Sequence, residues 1–151
     1  MIWECFSGAA GLGPLLIWDK DWGRINSETY CQHTLPLIEE WLKMHLGHLF
    51  MQDNATMHYS KFTCAEMDHR GIYRMFWPPN SPDLNPIEKF WKVMKRRLYE
   101  RVPIVTAKWE LQDAIKEKWG KIKQEFMNEL IEDMEARCWA VIEAEGGPTK
   151  F

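Results

Sequence analysis

The sequence lacks any apolar run long enough to cross a membrane. Its longest stretch without a charged residue runs from Cys5 to Trp18, spans 14 residues and is interrupted by three glycines and Pro14. A transmembrane helix needs about 20 predominantly apolar residues, so this stretch is too short and too broken. Glu4 stands where a secretory signal would place a basic residue. We therefore expect a protein that is not secreted and has no membrane partner.

Cysteine and net charge are both low. The four cysteines, at positions 5, 31, 64 and 138, form no C-x-x-C pair, so neither a disulfide framework nor a zinc site of that type is expected. The 19 basic and 22 acidic residues give a net charge of −3. This balance argues against attraction of the whole surface to nucleic acid, although it leaves local basic patches open.

The chain has 151 residues, of which 46% are hydrophobic and 27% charged, the balance of one globular domain. Two apolar runs, residues 1–6 and 15–18, flank the glycine-rich residues 8–14, which predicts two strands and a turn. Residues 48–52 and 72–75 read as strands on either side of a helix over residues 60–70 that Gly71 closes. These three elements predict a β-α-β unit.

Helical spacing of apolar residues dominates the remainder. It predicts a helix from Asn26 to about residue 46, which Pro36 bends or splits. Three prolines predict a loop over residues 77–85, after which Asn85 caps a helix that starts at Pro86 and ends before Pro103. Two more helices are predicted over residues 107–119 and 124–144. Because strands come first and helices last, we interpret the chain as an α/β domain with a helical C-terminal part.

Two acidic residues stand where such a domain places its chemistry. Asp53 follows the predicted strand at 48–52, and Glu88 lies in the first turn of the helix that starts at Pro86. The carboxyl ends of parallel strands face the crevice in which α/β domains bind ligands. Carboxylate oxygens are the ligands that Mg²⁺ prefers, and two such ions can clamp the oxygens of a phosphoryl transfer. The pattern predicts catalytic, metal-binding roles for both residues.

Each acid also has a purely structural explanation. Glu88 stands three residues after Asn85, the position from which a carboxylate can complete a capping box. The Asp53-Asn54 pair is equally typical of a turn at the end of a strand. Neither explanation requires a ligand, so the two acids taken singly leave the question open.

The wider pattern resembles a known family. The strings QDNA-x-x-H at residues 52–58 and WP-x-x-SPDLNPIE-x-x-W at residues 77–91 resemble the two hallmark blocks of Tc1/mariner-type transposases. The 34 residues between Asp53 and Glu88 resemble the DD34E spacing of the Tc1-like branch. Residues 1–6, 137–142 and 146–151 are similar to the family's second strand and C-terminal end, so the resemblance covers almost the entire chain.

The resemblance implies an RNase H-like, integrase-type catalytic domain of the DDE endonuclease superfamily. Such domains perform metal-dependent DNA cleavage and strand transfer, with three acids that bind two Mg²⁺ or Mn²⁺ ions. Asp53 would be the second acid and Glu88 the third. The partners would be DNA, as transposon ends and target, with no small-molecule substrate, and the location would be the nucleus, or the cytoplasm for an inactive chain. Supporting roles in orienting groups and shaping the loop would fall to Asn54, His58, Ser81, Asp83 and Asn85.

The sequence departs from the family pattern at its start. The family's first strand, with the first catalytic aspartate, and its helix-turn-helix modules belong upstream of residues 1–6. Asp19 and Asp21 would lie two strands from that position, about 10 Å away, which is too far to replace the aspartate. We therefore expect a truncated RNase H-like catalytic domain over residues 1–102 and a C-terminal helical extension of it over residues 103–151. With an incomplete metal site, little or no activity is expected of residues 1–151 alone.

In the family topology the first strand is central in the sheet, so its loss would also expose unpaired strand edges. A homodimer is one arrangement that would cover them.

A basic segment follows Glu88. Between residues 85 and 101 there are six basic and two acidic residues, a local balance of +4, which predicts a salt-dependent phosphate-binding face. A solvated helix face is the alternative. A second hypothesis for the chain is therefore a non-catalytic nucleic-acid-binding or interaction remnant of a transposable element, and a third is a translated relic without function. The predicted nucleic-acid-binding residues are Lys89, Lys92, Lys95, Arg96 and Arg97, with Arg101 beyond them.

Overall fold

The protein was analysed as a computed structural model, which describes residues 1–100 and 107–151. These residues divide into two compact units. One comprises Met1–Glu4 and Leu16–Asn80, and the other Cys5–Leu15 and Ser81–Phe151. The predicted boundary between residues 102 and 103, Arg101 and the predicted helix end at Pro103 lie outside the described residues. Within the described part of the chain, none of the helices combines the length and apolar character needed to cross a bilayer.

A β-hairpin opens the chain, as predicted. Strand β1, Ile2–Ser7, pairs with strand β2, Gly11–Ile17. The turn is shorter than the predicted residues 8–14, because Gly11, Gly13 and Pro14 lie within β2. Gly13 belongs in the strand for a steric reason: any Cβ at this position would collide with the Cys5 sulfur on β1. A glycine within a strand here marks the close approach of a neighbouring residue and not a loop.

Four helices build the rest of the first unit. They are α1 Ser27–His33, α2 Leu35–Met44, α3 Thr56–Tyr59 and α4 Lys61–His69. The single helix predicted from Asn26 is split at Thr34, and Pro36 takes a place in the first turn of α2, where its missing N–H costs no hydrogen bond. The buried core of this unit consists of Tyr30, Cys31, Leu35, Ile38, Phe50, Met67 and Ile72.

The two strands predicted at 48–52 and 72–75 are wrong as strands but right in their parallel pairing. Only Phe50 and Arg74 form a bridge, with hydrogen bonds of 2.9 Å from Phe50 N to Tyr73 O and from Met75 N to Phe50 O. Among the described residues no further strand pairs with this bridge. An isolated strand pair is marginal in water, so the ladder does not lengthen. Helix α4 between them confirms the predicted helix, with Ser60 as its N-cap.

Four helices also lie in the second unit, counted over residues 81–100 and 107–151. They are α5 Pro86–Tyr99, α6 Lys108–Gly120, α7 Gln124–Glu132 and α8 Met134–Glu143. Their core surrounds Phe90, which is fully buried. Its ring stacks on Phe6 with 5.3 Å between ring centroids and packs at a tilt against Trp119 with 5.0 Å between centroids. The neighbouring Trp91 is only half-buried.

The single helix predicted over residues 124–144 is wrong, since the chain breaks at Asp133. A continuous apolar stripe would have buried Ile131 and Ile142, which are instead 44% and 62% exposed. After the break, α8 turns Arg137 inward, and this side chain is only 2% exposed. The break therefore leaves two isoleucines of the apolar stripe exposed and buries the guanidinium of Arg137.

Candidate functional site

Asp53 lies in the first unit, just after the Phe50 bridge, and its side chain is 55% exposed. Its Oδ1 accepts hydrogen bonds from Ala55 N at 3.1 Å and from His58 Nδ1 at 2.5 Å. The turn predicted as the alternative role is therefore formed. The exposed carboxylate nevertheless stays accessible from solvent, so the turn does not prevent it from binding a cation.

Neighbouring residues of the first unit fix the position of His58. It belongs to the short helix α3, its side chain is 17% exposed, and its ring centroid lies 4.8 Å from that of Tyr30. The Tyr30 hydroxyl donates to Gln52 Oε1 at 2.8 Å, and Gln52 Nε2 donates to the His58 carbonyl at 3.0 Å. Because a carboxylate accepts and an imidazole N–H donates, His58 Nδ1 is the donor to Asp53.

This chain of contacts assigns positions to two residues that the sequence analysis missed. Tyr30 lies in the helix predicted from Asn26, and Gln52 ends a predicted strand and opens the first family block, but neither is predicted to contact His58. The structure makes both of them supports of His58, and through it of Asp53. Asn54, predicted as a supporting residue, donates from Nδ2 to the Trp77 carbonyl at 2.9 Å and so ties the Asp53 turn to the start of the proline-rich loop.

Glu88 lies in the second unit, in the first turn of α5, and is exposed. The cap of this helix is made by Asn85, which is 8% exposed and whose Oδ1 accepts from Ile87 N at 3.3 Å. No capping box is formed, and within residues 1–100 and 107–151 we find no side-chain hydrogen bond or ion pair of Glu88. The capping-box role is therefore not realised for this acid, and its carboxylate is accessible beside the positive end of a helix.

The loop before Glu88 is tied to α8. Arg137 Nη1 donates to the Asp83 carbonyl at 2.7 Å, and Asp83 Oδ1 accepts from Leu84 N at 3.1 Å. Asn85 caps α5, while the loop-shaping role of Asp83 stays a prediction. Ser81 is half-buried, and its supporting role stays a prediction.

The predicted basic face is mostly exposed. Lys92, Lys95 and Arg96 point to solvent, and Arg97 is half-buried. Positions three, four and seven residues apart lie on one side of a helix, so Glu88, Lys92 and Lys95 share a face of α5. Lys89 is partly engaged elsewhere: its Nζ contacts Asp133 Oδ2 at 2.9 Å.

Asp53 and Glu88 belong to different units, and their sharing of one metal site stays a prediction. Their oxygen donors suit Mg²⁺ or Mn²⁺. In the described ranges there is no group of three or more His, Cys, Asp or Glu residues that could hold a metal ion. The chemistry of the donors thus fits the ion, whereas their number falls short of the family's three.

Comparison with known proteins gives relatives for the whole chain. Residues 22–108, more than half of the sequence, match the family described as DDE superfamily endonuclease. The Tcb1 transposase of Caenorhabditis briggsae and the Tc1 transposase of Caenorhabditis elegans are each 34% identical over 100% of this chain and 54% of their own length. The chain therefore spans about half the length of the curated relatives it matches.

The structure is similar to solved transposase structures. The catalytic domain of Mos1 transposase with Mn superposes with a TM-score of 0.83 at 16% identity, covering 99% of this chain and 76% of that one. A Mos1 paired-end complex with the left transposon end gives a TM-score of 0.84 at 16% identity, covering 99% of this chain and 44% of that one. The α/β RNase H-like fold expected from the resemblance is thereby confirmed. The chain belongs to the DDE superfamily endonuclease family and is similar to Tc1-type transposases.

Proposed function

We propose that this chain forms part of the catalytic domain of a Tc1-like transposase that cleaves and joins DNA with the help of Mg²⁺ or Mn²⁺. The observation that carries the proposal is the free carboxylate of Glu88. Asn85 already caps α5, so the acid makes no hydrogen bond in the cap among the described residues. Between it and Asp53, the other accessible carboxylate of the family pattern, lie 34 residues.

Asp53 and Glu88 would each be a ligand of such an ion. A divalent ion bound there would stabilise charge on the attacking and leaving oxygens of a phosphodiester. The chain's own residues prepare Asp53 for this role: His58 and Ala55 N donate to one carboxylate oxygen and fix its direction, and Tyr30 with Gln52 fixes His58. Such outer hydrogen bonds keep a ligand ordered before the metal arrives.

DNA would lie along the face of α5 that Glu88 shares with Lys92 and Lys95. Ammonium groups beside the reacting carboxylate attract the phosphate backbone, and the binding weakens with added salt. The Mos1 complex with a transposon end supports transposon ends as the DNA class, and target DNA would follow. The nucleus is the compartment in which these substrates occur.

No residue of 1–151 matches the family's first aspartate. We therefore propose that residues 1–151 alone perform little or no strand transfer, and that Asp53 and Glu88 each bind a metal ion more weakly than the family's set of three acids would. Robust Mg²⁺-dependent strand transfer by the purified chain, lost on Asp53→Asn, would contradict this part of the proposal.

Paramagnetic broadening of amide resonances by Mn²⁺ tests the two ligands directly. We expect broadening around residues 53 and 88 in the 151-residue chain, with Asp53→Asn and Glu88→Gln each abolishing it at the substituted position. Glu40→Gln, an exposed glutamate on α2, is the matched control and should change nothing. Equal broadening in all four proteins, or none in any, would refute the proposal.

The basic face also supports a second candidate, a non-catalytic nucleic-acid-binding protein. Lys92→Glu combined with Arg96→Glu should then weaken salt-dependent binding to duplex DNA, while Asp53→Asn leaves it unchanged. Lys116→Glu, an exposed lysine on α6, controls for the change in net charge. Binding that the α5 reversals do not weaken would exclude this candidate.

A further inference from the structure

The corner between α7 and α8 holds the segment that leads into α5 at two points. Arg137, on α8, donates from Nη1 to the Asp83 carbonyl at 2.7 Å. Asp133, at the corner itself, forms a 2.9 Å ion pair with Lys89, the residue after Glu88. Asp133 and Arg137 are four residues apart, about one helix turn. The residues that they contact, Asp83 and Lys89, lie before and after Glu88 in the sequence. Both ties belong to the second unit, as does Glu88 itself.

Burying the charged side chain of Arg137 costs free energy, because the guanidinium loses its hydration. Its side chain is 2% exposed, and no hydrogen-bond partner is found for Nε or Nη2 among the described residues. Besides the single bond to Asp83, the guanidinium lies over the Phe151 ring with 5.0 Å to the centroid. A buried, incompletely paired cation is weak evidence for stability, since an apolar side chain of similar volume often does as well. Its presence calls for a role other than packing.

The bond to Asp83 fixes the backbone from which α5 starts. Asp83 is two residues before the N-cap Asn85 and five before Glu88. Asn85 N donates to the Pro82 carbonyl at 3.1 Å, so residues 82–85 form one tight turn. The N-cap sets the direction of the first helical turn. Holding the Asp83 carbonyl therefore holds the direction in which Glu88 projects.

The Lys89 ion pair acts on the same turn from the other side. The hydrogen bond from Lys89 holds the pKa of Asp133 below its ordinary value of 3.8, as expected for a carboxylate in an ion pair. Because both side chains are more than a third exposed, this pair contributes little stability by itself. It serves as a second, weaker restraint on the turn that carries Glu88.

We propose that Arg137 is a positioning residue for Glu88, acting through the Asp83 carbonyl, with the Asp133–Lys89 pair as an auxiliary restraint. The inference rests on the proposed role of Glu88 as a metal ligand. Arg137 itself touches neither metal nor DNA in this account. It explains why a helix otherwise rich in exposed residues turns one guanidinium into the interior.

The test measures Mn²⁺ binding separately at the two acids of the 151-residue chain. In Arg137→Met, the Mn²⁺ concentration that half-broadens Glu88 should rise by about threefold to tenfold, below or at the lower end of what loss of an outer-shell partner costs. The midpoint at Asp53, in the other unit, should not move. Arg137→Lys keeps a donor for the Asp83 carbonyl and should restore the Glu88 midpoint to within about twofold of wild type. Arg24→Met, an exposed arginine, is the control.

Loss of folding alone would not produce this pattern, because it would change both midpoints and would not be rescued by lysine. If Arg137→Met does not fold, Asp133→Asn takes its place and should raise the Glu88 midpoint by a smaller factor. An unchanged Glu88 midpoint in the folded variants would overturn the proposal.

Residual dipolar couplings of the amides of residues 87–89, recorded without metal, separate the two proposals. We expect Arg137→Met to change these couplings and Arg137→Lys to restore them. Wild-type protein that fails to bind Mn²⁺ at Glu88 would refute the proposed function, and the couplings would still decide the positioning role. Couplings identical in wild type and Arg137→Met would refute the positioning role whatever the metal does.

Discussion

Glu4 should make the stability of this chain fall as the pH rises from 5 to 8. Its side chain lies on β1 and is 5% exposed, and neither carboxylate oxygen has a hydrogen-bond partner among the described residues. Burial raises the pKa of Glu4 from its ordinary value of 4.5 to about 8. Between these two values the folded protein holds a proton that the unfolded chain has released. The linkage relation then requires stability to decrease with pH in this window.

The size of the effect follows from the same shift. One pKa unit corresponds to about 1.4 kcal/mol, so the free energy of unfolding should fall by about 4 kcal/mol between pH 5 and pH 8. That is a large fraction of the 5–15 kcal/mol typical of a domain. Other shifted groups act outside the window. Glu39, whose pKa is lowered by Lys43 and Arg70, and Asp133 act below about pH 4.5, and Cys31, whose pKa is raised by burial, acts above pH 9.

Urea unfolding followed by tryptophan fluorescence at several pH values measures this slope. Glu4→Gln has nearly the same shape but carries no proton to release, so the variant should lose the slope and exceed wild type in stability at pH 8. Glu40→Gln, an exposed glutamate, should keep the wild-type slope because its carboxyl is hydrated in both states. A Glu4→Gln variant that retains the wild-type slope would refute the reasoning.

Two further predictions concern the helix that carries Glu88. Asn85→Ala should lower the free energy of unfolding by about 1 kcal/mol, because α5 loses its capping oxygen, and an unchanged urea midpoint would count against this assignment of the cap. Phe90→Ala should cost about 3–5 kcal/mol and Trp91→Ala clearly less, because Phe90 is the fully buried ring; the reverse order in urea unfolding would show that Trp91 occupies the core.

Local signals in the sequence were enough to predict the part of the site around Glu88. Asn85 followed by Pro86 predicts the start of a helix from two adjacent residues alone. The three prolines before Asn85 predict an irregular loop. The structure shows both features where they were predicted. Asp53 was assigned to the site by its spacing from Glu88 in the family pattern. Its local sequence alone is equally typical of an ordinary turn.

Contacts between distant residues could not be predicted in this way. Tyr30 reaches Gln52 across 22 positions, and Arg137 reaches Asp83 across 54. Helical periodicity predicts one unbroken helix over residues 124–144, and no local pattern indicates that Arg137 is buried. The prediction of strands at 48–52 and 72–75 was wrong for a related reason. Their apolar pattern indicates that the two segments can pair, but the length of the paired ladder depends on neighbouring strands.

The central claim is that Asp53 and Glu88 are both ligands of one kind of divalent metal ion. Affinity cleavage tests it most directly: Fe²⁺ replaces Mg²⁺, and ascorbate with peroxide then cuts the polypeptide wherever the iron is bound. The account predicts backbone cuts near residues 53 and 88 that excess Mg²⁺ suppresses, with Asp53→Asn and Glu88→Gln each removing the cut at its own position. Cleavage that is absent, or that neither substitution alters, would contradict it.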